Sequence, residues 1–131
     1  MQVLFVEDDA MNRRVVRDML SVVGARMDEA ADAETGLQMI EDGAFNIVLM
    51  DLRMPGMDGL TAIRHLRARG DAKGDLPVIV VTADTAADLR ERCLASGADE
   101  VIPKPVPMNL LLKVMSRMLA KAAGQGGVIF S

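Results

Sequence analysis

The chain has 131 residues, of which 50% are hydrophobic, and a formal net charge of −4 from 15 basic and 19 acidic residues. This composition predicts one folded domain with its own core, and the acidic balance gives no electrostatic reason to bind nucleic acid. No apolar run approaches the roughly 20 residues that span a bilayer, and the single Cys93 excludes an internal disulfide. We therefore expect a cytoplasmic protein with no membrane contact.

Short apolar segments recur along the chain and predict five strands. They lie at residues 3–6, 26–30, 47–50, 78–81 and 101–102, and apolar residues at helical spacing follow each one. The clearest helical face comes last, formed by Met108, Leu111, Leu112, Met115, Met118 and Leu119. Strictly alternating strands and helices predict an α/β fold, a single (βα)5 domain whose parallel sheet is covered on both faces.

Polar residues and glycines mark the expected helix boundaries. Asp9, Asp32 and Thr85 are predicted N-caps, and Pro107 suits the first position of the last helix. A glycine follows each helical pattern, where a left-handed residue is favoured: Gly24, Gly43, Gly70, Gly97 and Gly124.

Chemically active side chains follow four of the five predicted strands. In doubly wound sheets, ligands bind beyond the carboxyl ends of the strands. The residues found there are Glu7, Asp8, Asp51, Thr82, Ala83 and Lys104. Clustered carboxylates suit Mg²⁺, while a lysine and a hydroxyl can neutralise a phosphate beside the metal. Asp51, at the end of an apolar strand, is placed to attack phosphorus and form an acyl phosphate.

These residues resemble the receiver domain of two-component response regulators. The resemblance rests on an acidic pair after strand 1, D-x-x-M-P-G-M-D-G after strand 3, T-A after strand 4 and K-P after strand 5. It covers about residues 1–121 and leaves 122–131 as an expected flexible tail. It implies the CheY-like, flavodoxin-like strand order 2-1-3-4-5, which places strands 1 and 3 side by side, and a cis bond between Lys104 and Pro105.

The resemblance implies a phosphoacceptor that depends on Mg²⁺. Asp8, Asp51 and the backbone carbonyl of Arg53 would bind the metal, and Glu7 would act through water. Asp51 would accept a phosphoryl group from a histidine kinase or a histidine phosphotransfer protein. Self-phosphorylation and self-dephosphorylation would be slow at most, so no enzyme with turnover is expected.

Three further residues would contact the phosphoryl group. The Thr82 hydroxyl and the Ala83 backbone N–H would hold its oxygens, Thr82 would shift on activation, and Lys104 would pair with it. Many family members carry Tyr or Phe where this chain has Val101, and their ring moves inward as the threonine shifts. Val101 has no ring, so the expected readout is either through backbone shifts around helix 4 or weak.

Other functions fit the sequence less well. An aspartyl phosphatase of the haloacid-dehalogenase type needs a second acid where Arg53 stands. A flavodoxin needs a hydroxyl- and glycine-rich loop where Glu7 and Asp8 stand. A degenerate receiver, acting as a phosphorylation-independent binding module, stays an alternative. The oligomeric expectation is a monomer or weak homodimer, either stand-alone or excised from a hybrid histidine kinase.

Basic residues fall into two groups with different expected roles. We interpret one group as a solvated helix face: Arg64, Arg67 and Arg69. The other opens the first helix beside the acidic edge, where we expect a partner to dock: Arg13, Arg14 and Arg17. His65 is interpreted as a solvated helix residue, and Cys93 as a small core or interface residue.

Overall fold

Five strands alternate with five α-helices in the computed structural model, which describes the backbone of residues 1–125 and the side chains of residues 1–121. The strands are β1 Gln2–Val6, β2 Arg26–Ala30, β3 Ile47–Asp51, β4 Val78–Thr82 and β5 Glu100–Pro103. The helices are α1 Ala10–Ser21, α2 Ala33–Asp42, α3 Gly59–Arg67, α4 Leu89–Ser96 and α5 Met108–Gln125, with a short 3-10 helix at Ala72–Asp75. The strands match the predicted ones to within one residue at each end.

All strand pairs are parallel, in the order β2-β1-β3-β4-β5. This confirms the predicted fold. Every residue of β3 and β4 is buried, because helices cover both faces of the sheet and water reaches neither side. Pro103 lies exposed on the edge strand β5. Proline has no N–H to donate, and at the edge of a sheet this breaks no hydrogen bond between strands.

Alternate residues of each central strand face two separate cores. Leu4, Val48 and Val80 pack with residues of α2, α3 and α4. Phe5 and Leu49 face the opposite side, towards α1 and α5. This alternation is the two-residue period of a strand, and it explains why the strands read as continuous apolar runs. No described helix has the length and apolar character to cross a bilayer.

Two of the three predicted N-caps are confirmed. The Asp9 carboxylate accepts a hydrogen bond from the Met11 N–H at 2.8 Å, and that of Asp32 accepts one from the Thr35 N–H at 2.7 Å. Each satisfies a backbone donor that the first helical turn leaves unpaired.

Thr85 was the wrong prediction for the start of α4. The helix begins four residues later at Leu89, and Asp88 at the N-cap position makes no side-chain capping bond. Asp84 instead accepts from the Ala86 N–H at 2.9 Å, a local turn that competes with helix formation. The start of α4 therefore lacks the side-chain cap that α1, α2 and α3 have.

The glycine predictions were partly right. Gly24 and Gly97 adopt left-handed φ values of 74° and 111° after α1 and α4. Gly43 ends α2 with an extended φ of −110°, which does not require glycine. The reason for glycine here is the lack of space for a side chain. A Cβ there would lie 2.9 Å from the Met39 carbonyl oxygen and 3.1 Å from the Phe45 ring.

Two predicted helix ends lie elsewhere. Ala68 caps α3 with an ordinary helical backbone, and Gly70 has no left-handed φ. Helix α5 continues through Gly124 to Gln125, and residues 126–131 of the predicted tail lie outside the described part. Pro107 stands immediately before the first residue of α5.

Arg67 is a structural residue, contrary to its interpretation as part of a solvated face. Its guanidinium donates to the carbonyls of Gly97 at 2.8 Å and of Gly74 and Leu76 at 2.7 Å each. It also pairs with Asp99 at 3.1 Å. These carbonyls lie outside the strands, in or directly after the 3-10 helix at Ala72–Asp75 and after α4, and unpaired backbone groups are costly. Arg67 thus fastens α3 to the segments that enter β4 and β5.

Gly59 sets how closely α3 approaches the end of β3. A Cβ at this position would lie 2.3 Å from the Asp51 carbonyl oxygen and 2.9 Å from the Leu52 Cα. We expect Gly59→Ala to lower the free energy of unfolding by about 1–3 kcal/mol, the usual cost of overpacking, as measured by urea denaturation. Gly70→Ala is the control, since nothing lies within 4 Å of the added carbon. Equal stability of the two variants would contradict the prediction.

Candidate functional site

Three carboxylates meet where β1 and β3 end side by side. One oxygen from each of Glu7, Asp8 and Asp51 lies within 4.8 Å of the others. Among the described residues, this is the one acidic group compact enough to hold a metal ion. Glu7 is 1% and Asp51 4% exposed, whereas Asp8 faces solvent. Parallel strands bring their carboxyl ends to one edge, so the three predicted acids are together.

Lys104 joins the carboxylates from the end of β5. Its Nζ lies 2.6 Å from Glu7 Oε1 and 3.2 Å from Asp51 Oδ1. The backbone holds it there, because the Lys104 N–H donates to the Thr82 carbonyl at 2.9 Å. The bond between Lys104 and Pro105 is cis, as expected. Burial lowers the pKa of Lys104, but the hydrogen bonds and charges of Glu7 and Asp51 outweigh burial and raise it above its ordinary value.

Glu7 has two further donors besides Lys104. Its carboxylate accepts from the Asp9 N–H and from Asn12 Nδ2, each at 3.3 Å. The sequence reasoning missed Asn12. The sequence feature that indicates this contact is the position of Asn12 in the first turn of α1, five residues after Glu7. A side chain at that position can reach back to the end of the strand.

Thr82 and Ala83 border the cluster at the end of β4. Thr82 is 2% exposed, and its Oγ1 accepts from the Asp84 N–H at 3.1 Å. Its hydroxyl proton is therefore not used in that contact. Asp84 also pairs with Arg53 Nη2 at 2.8 Å, and this pair spans the mouth of the cleft. The Arg53 guanidinium holds the pKa of Asp84 below its usual range.

One cleft, with a volume of about 490 Å³, contains all of these groups. Its lining includes every predicted site residue, namely Glu7, Asp8, Asp51, Arg53, Thr82, Ala83 and Lys104, together with Asp9, Asn12, Asp84 and Thr85. The donors are hard oxygens, and Asp8 is open to water. This set fits Mg²⁺, which prefers carboxylates and keeps several waters.

The arginines of α1 are largely engaged within the molecule. Arg13 donates to the Glu7 carbonyl oxygen at 2.7 Å and to Glu29 Oε1 at 3.0 Å, and Arg17 pairs with the other oxygen of Glu29. Arg14 is exposed, with no side-chain partner among the described contacts. Two of the three arginines expected to meet a partner thus have structural contacts.

Val101 and the two remaining interpreted residues lie away from the cleft. Val101 is half-buried and packs against the core under α2, α3 and α4. Cys93 is fully buried in that same core, and burial raises the pKa of its thiol. His65 is exposed on α3, as predicted.

A family model for the response regulator receiver domain matches residues 3–116. The chain is 36% identical over 116 residues to sensor histidine kinase RcsC of Salmonella typhimurium. The aligned region covers 88% of this chain and 12% of that relative. It is 35% identical over 126 residues to response regulator MprA of Mycobacterium sp. strain KMS, covering 96% of this chain and 54% of the relative. The chain thus spans about an eighth to a half of these relatives' lengths.

Solved structures show the same fold. The receiver domain of sensor histidine kinase PA1611 from Pseudomonas aeruginosa PAO1 is 31% identical, with a TM-score of 0.82 over 91% of this chain and 97% of that one. It has a magnesium ion coordinated in its active site cleft. A CheY-like receiver domain protein from Methanospirillum hungatei JF-1 is 27% identical, with a TM-score of 0.85 over 95% and 97%. This chain belongs to the response regulator receiver domain family, the phosphoacceptors of two-component signalling.

Proposed function

We propose that Asp51 is the phosphoacceptor and that it is phosphorylated in a Mg²⁺-dependent reaction by a histidine kinase or a histidine phosphotransfer protein. The observation that carries this proposal is the position of Asp51. It is buried at the end of β3, its Oδ1 is 3.2 Å from Lys104 Nζ, and it clusters with two other carboxylates. A carboxylate beside a cation and a metal-type cluster suits attack on a phosphoryl group.

The metal would be held by Asp8, Asp51 and the backbone carbonyl of Arg53, with Glu7 acting through water. Bound there, Mg²⁺ would offset negative charge on the phosphoryl oxygens and on the carboxylates. The hard-oxygen donors of this chain support the assignment. The magnesium ion in the PA1611 receiver domain, a 31% identical relative, supports it as well.

In the transfer step, an Asp51 carboxylate oxygen attacks the phosphorus of a partner's phosphohistidine. The new O–P bond forms as the P–N bond breaks, and the bonding electron pair returns to the imidazole nitrogen. The product is an acyl phosphate on Asp51. Lys104, the Thr82 hydroxyl and the Ala83 backbone N–H would stabilise the phosphoryl oxygens as charge develops on them.

Activation would be read through α4. Thr82 would move towards the phosphoryl group, and the segment that follows it leads to a helix without a side-chain N-cap bond. Val101 has no ring to rotate inward, so the readout would come from displacement of this helix start. The far end of α4 is fastened by Arg67 at Gly97, which confines the movement to the end near the site.

Hydrolysis of the acyl phosphate would be slow. Arg53 stands where an aspartyl phosphatase has its second acid, and a guanidinium cannot act as a general base at neutral pH. A phosphorylation-independent binding module is not favoured, because such a module has no need for Lys104 to pair with both Glu7 and Asp51.

The partner would dock on α1 beside the cleft. Met11 is 66% and Val15 43% exposed on this helix. A shallow groove of about 100 Å³ next to it is lined by Val15, Pro105 and Val106, among others. An apolar helix face bearing the phosphohistidine could cover these side chains and present the phosphorus to Asp51.

The proposal extends to the protein's setting. We place it in the cytoplasm, as a monomer or weak homodimer, either on its own or as one domain of a larger sensor kinase or regulator. The net charge of −4 gives it no electrostatic affinity for nucleic acid.

The acceptor is tested by Asp51→Asn. Intact-protein mass after incubation with acetyl phosphate and Mg²⁺ should rise by one phosphoryl group in the wild type. The asparagine variant should show no gain, because its amide lacks the nucleophilic oxygen. Asp9→Asn is the control: Asp9 is an exposed acid of the same cleft outside the carboxylate cluster, and asparagine can still cap α1, so this variant should be labelled normally. Labelling of Asp51→Asn, or loss of labelling in Asp9→Asn, would contradict the assignment.

Lys104→Met tests how the buried carboxylates are compensated. Without the ammonium, Glu7 and Asp51 repel each other in a site that excludes water. We expect the free energy of unfolding at pH 7 to fall by about 3–5 kcal/mol, measured by urea denaturation in metal-free buffer. Lys113→Met, on the exposed face of α5, should change stability by less than about 0.5 kcal/mol. Equal effects of the two variants would refute this account.

The docking surface is tested by Val15→Glu. A charge in the apolar contact should slow transfer from a histidine-phosphorylated partner by about tenfold, equivalent to ~1.4 kcal/mol. Labelling by acetyl phosphate, which needs no docking, separates this effect from damage to the site. Val22 lies at the far end of α1 and is 72% exposed. The Val22→Glu variant should therefore receive the phosphoryl group at the wild-type rate. An unchanged transfer rate in Val15→Glu would place the partner elsewhere.

A further inference from the structure

The backbone of Glu7 is held from outside the cleft. Its N–H continues the sheet by donating to the Ala30 carbonyl at 2.9 Å. Its carbonyl oxygen lies past the end of β1, and it accepts instead from Arg13 Nη1 at 2.7 Å. The peptide unit between Glu7 and Asp8 is therefore attached to α1 by a charge-assisted hydrogen bond, which is stronger than a neutral one.

Arg13 is itself fixed by a second contact. Its Nε donates to Glu29 Oε1 at 3.0 Å, and its side chain is 18% exposed. Glu29 lies in β2 and also pairs with Arg17. Burial raises the pKa of Glu29, but the two arginines outweigh burial and hold it below its usual value. A planar guanidinium bonded on two edges has little freedom to turn.

We infer that Arg13 is a positioning residue for the metal site. It touches neither the metal-binding oxygens nor the phosphoryl group. It acts through the Glu7 carbonyl, which fixes the turn from which both the Glu7 and Asp8 carboxylates project towards Asp51. The inference rests on the proposed Mg²⁺ site and adds a residue to its support. Outer contacts that orient ligands commonly change metal affinity by about 10–100-fold when they are removed.

The charge of Arg13 and its positioning role predict opposite changes in Mg²⁺ affinity when the residue is removed. Arg13 is a cation near a cation-binding site, so by charge alone its removal should strengthen Mg²⁺ binding. If Arg13 positions the turn, its removal should weaken Mg²⁺ binding despite the favourable change in charge. The sign of the effect therefore separates the two accounts.

The experiment is an NMR titration of the isotope-labelled protein with MgCl₂, which follows the backbone amides of Asp8 and Asp51 without any phosphorylation. We expect Arg13→Gln to bind Mg²⁺ about tenfold more weakly than the wild type, at the lower end of the range for outer contacts. Arg14→Gln removes the same charge from the neighbouring exposed position, and it should bind equally or slightly more tightly. Binding by Arg13→Gln as tight as by Arg14→Gln would overturn the inference.

Two further outcomes are decisive. Failure of the wild type to bind Mg²⁺ would refute the proposed metal site itself, and with it the inference. If Arg13→Gln does not fold, Arg13→Lys gives the answer, because lysine keeps the charge but cannot bond the Glu7 carbonyl and Glu29 with one planar group. Mg²⁺ binding weakened roughly threefold in the lysine variant would support positioning, and unchanged binding would overturn it.

Discussion

The structure depends on one electrostatic constraint at the carboxyl edge of the sheet. The adjacent ends of β1 and β3 bring Glu7, Asp8 and Asp51 within 4.8 Å, where like charges repel. Lys104 offsets this repulsion from the end of β5, 2.6 Å from Glu7. Burying such charges without a partner costs much free energy. The buried acids therefore depend on the lysine to compensate their charge. Strand order makes the cluster, and the cluster makes phosphoryl chemistry possible.

This arrangement explains how the same residues can serve two charge states. Before transfer, the ammonium of Lys104 compensates the carboxylates. After transfer, the proposed acyl phosphate adds negative charge at Asp51, and Lys104 lies close enough to pair with it. The Thr82 hydroxyl, which accepts but does not donate in its contact with Asp84, has a proton for a phosphoryl oxygen. The proposed switch would thus begin with small movements of side chains already inside the cleft.

Arginines hold the surrounding framework. Arg67 bonds three backbone carbonyls and Asp99, which fixes the far end of α4, whereas the start of α4 has no side-chain cap. Arg13 does the corresponding work beside the acidic turn, through the Glu7 carbonyl and Glu29. Both residues face water in part, yet both satisfy backbone oxygens that the sheet cannot reach. Exposed charge and structural role are compatible because a guanidinium has five donors.

Local patterns in the sequence determined the five strands, the parallel sheet and the residues of the cleft. Apolar runs such as 78–81 have an unambiguous meaning when helices alternate with them, and the residues that follow must gather at one edge. Only the tertiary structure decided the contacts made by long side chains. Arg67 looked like a solvated residue, Asn12 went unnoticed beside Glu7, and Thr85 resembled a cap although α4 starts at Leu89. The physical reason is that periodicity does not record such contacts. Arg67 reaches a residue 32 positions away, Asn12 reaches from a helix back to the end of the preceding strand, and near Thr85 one local hydrogen bond replaces another of similar strength.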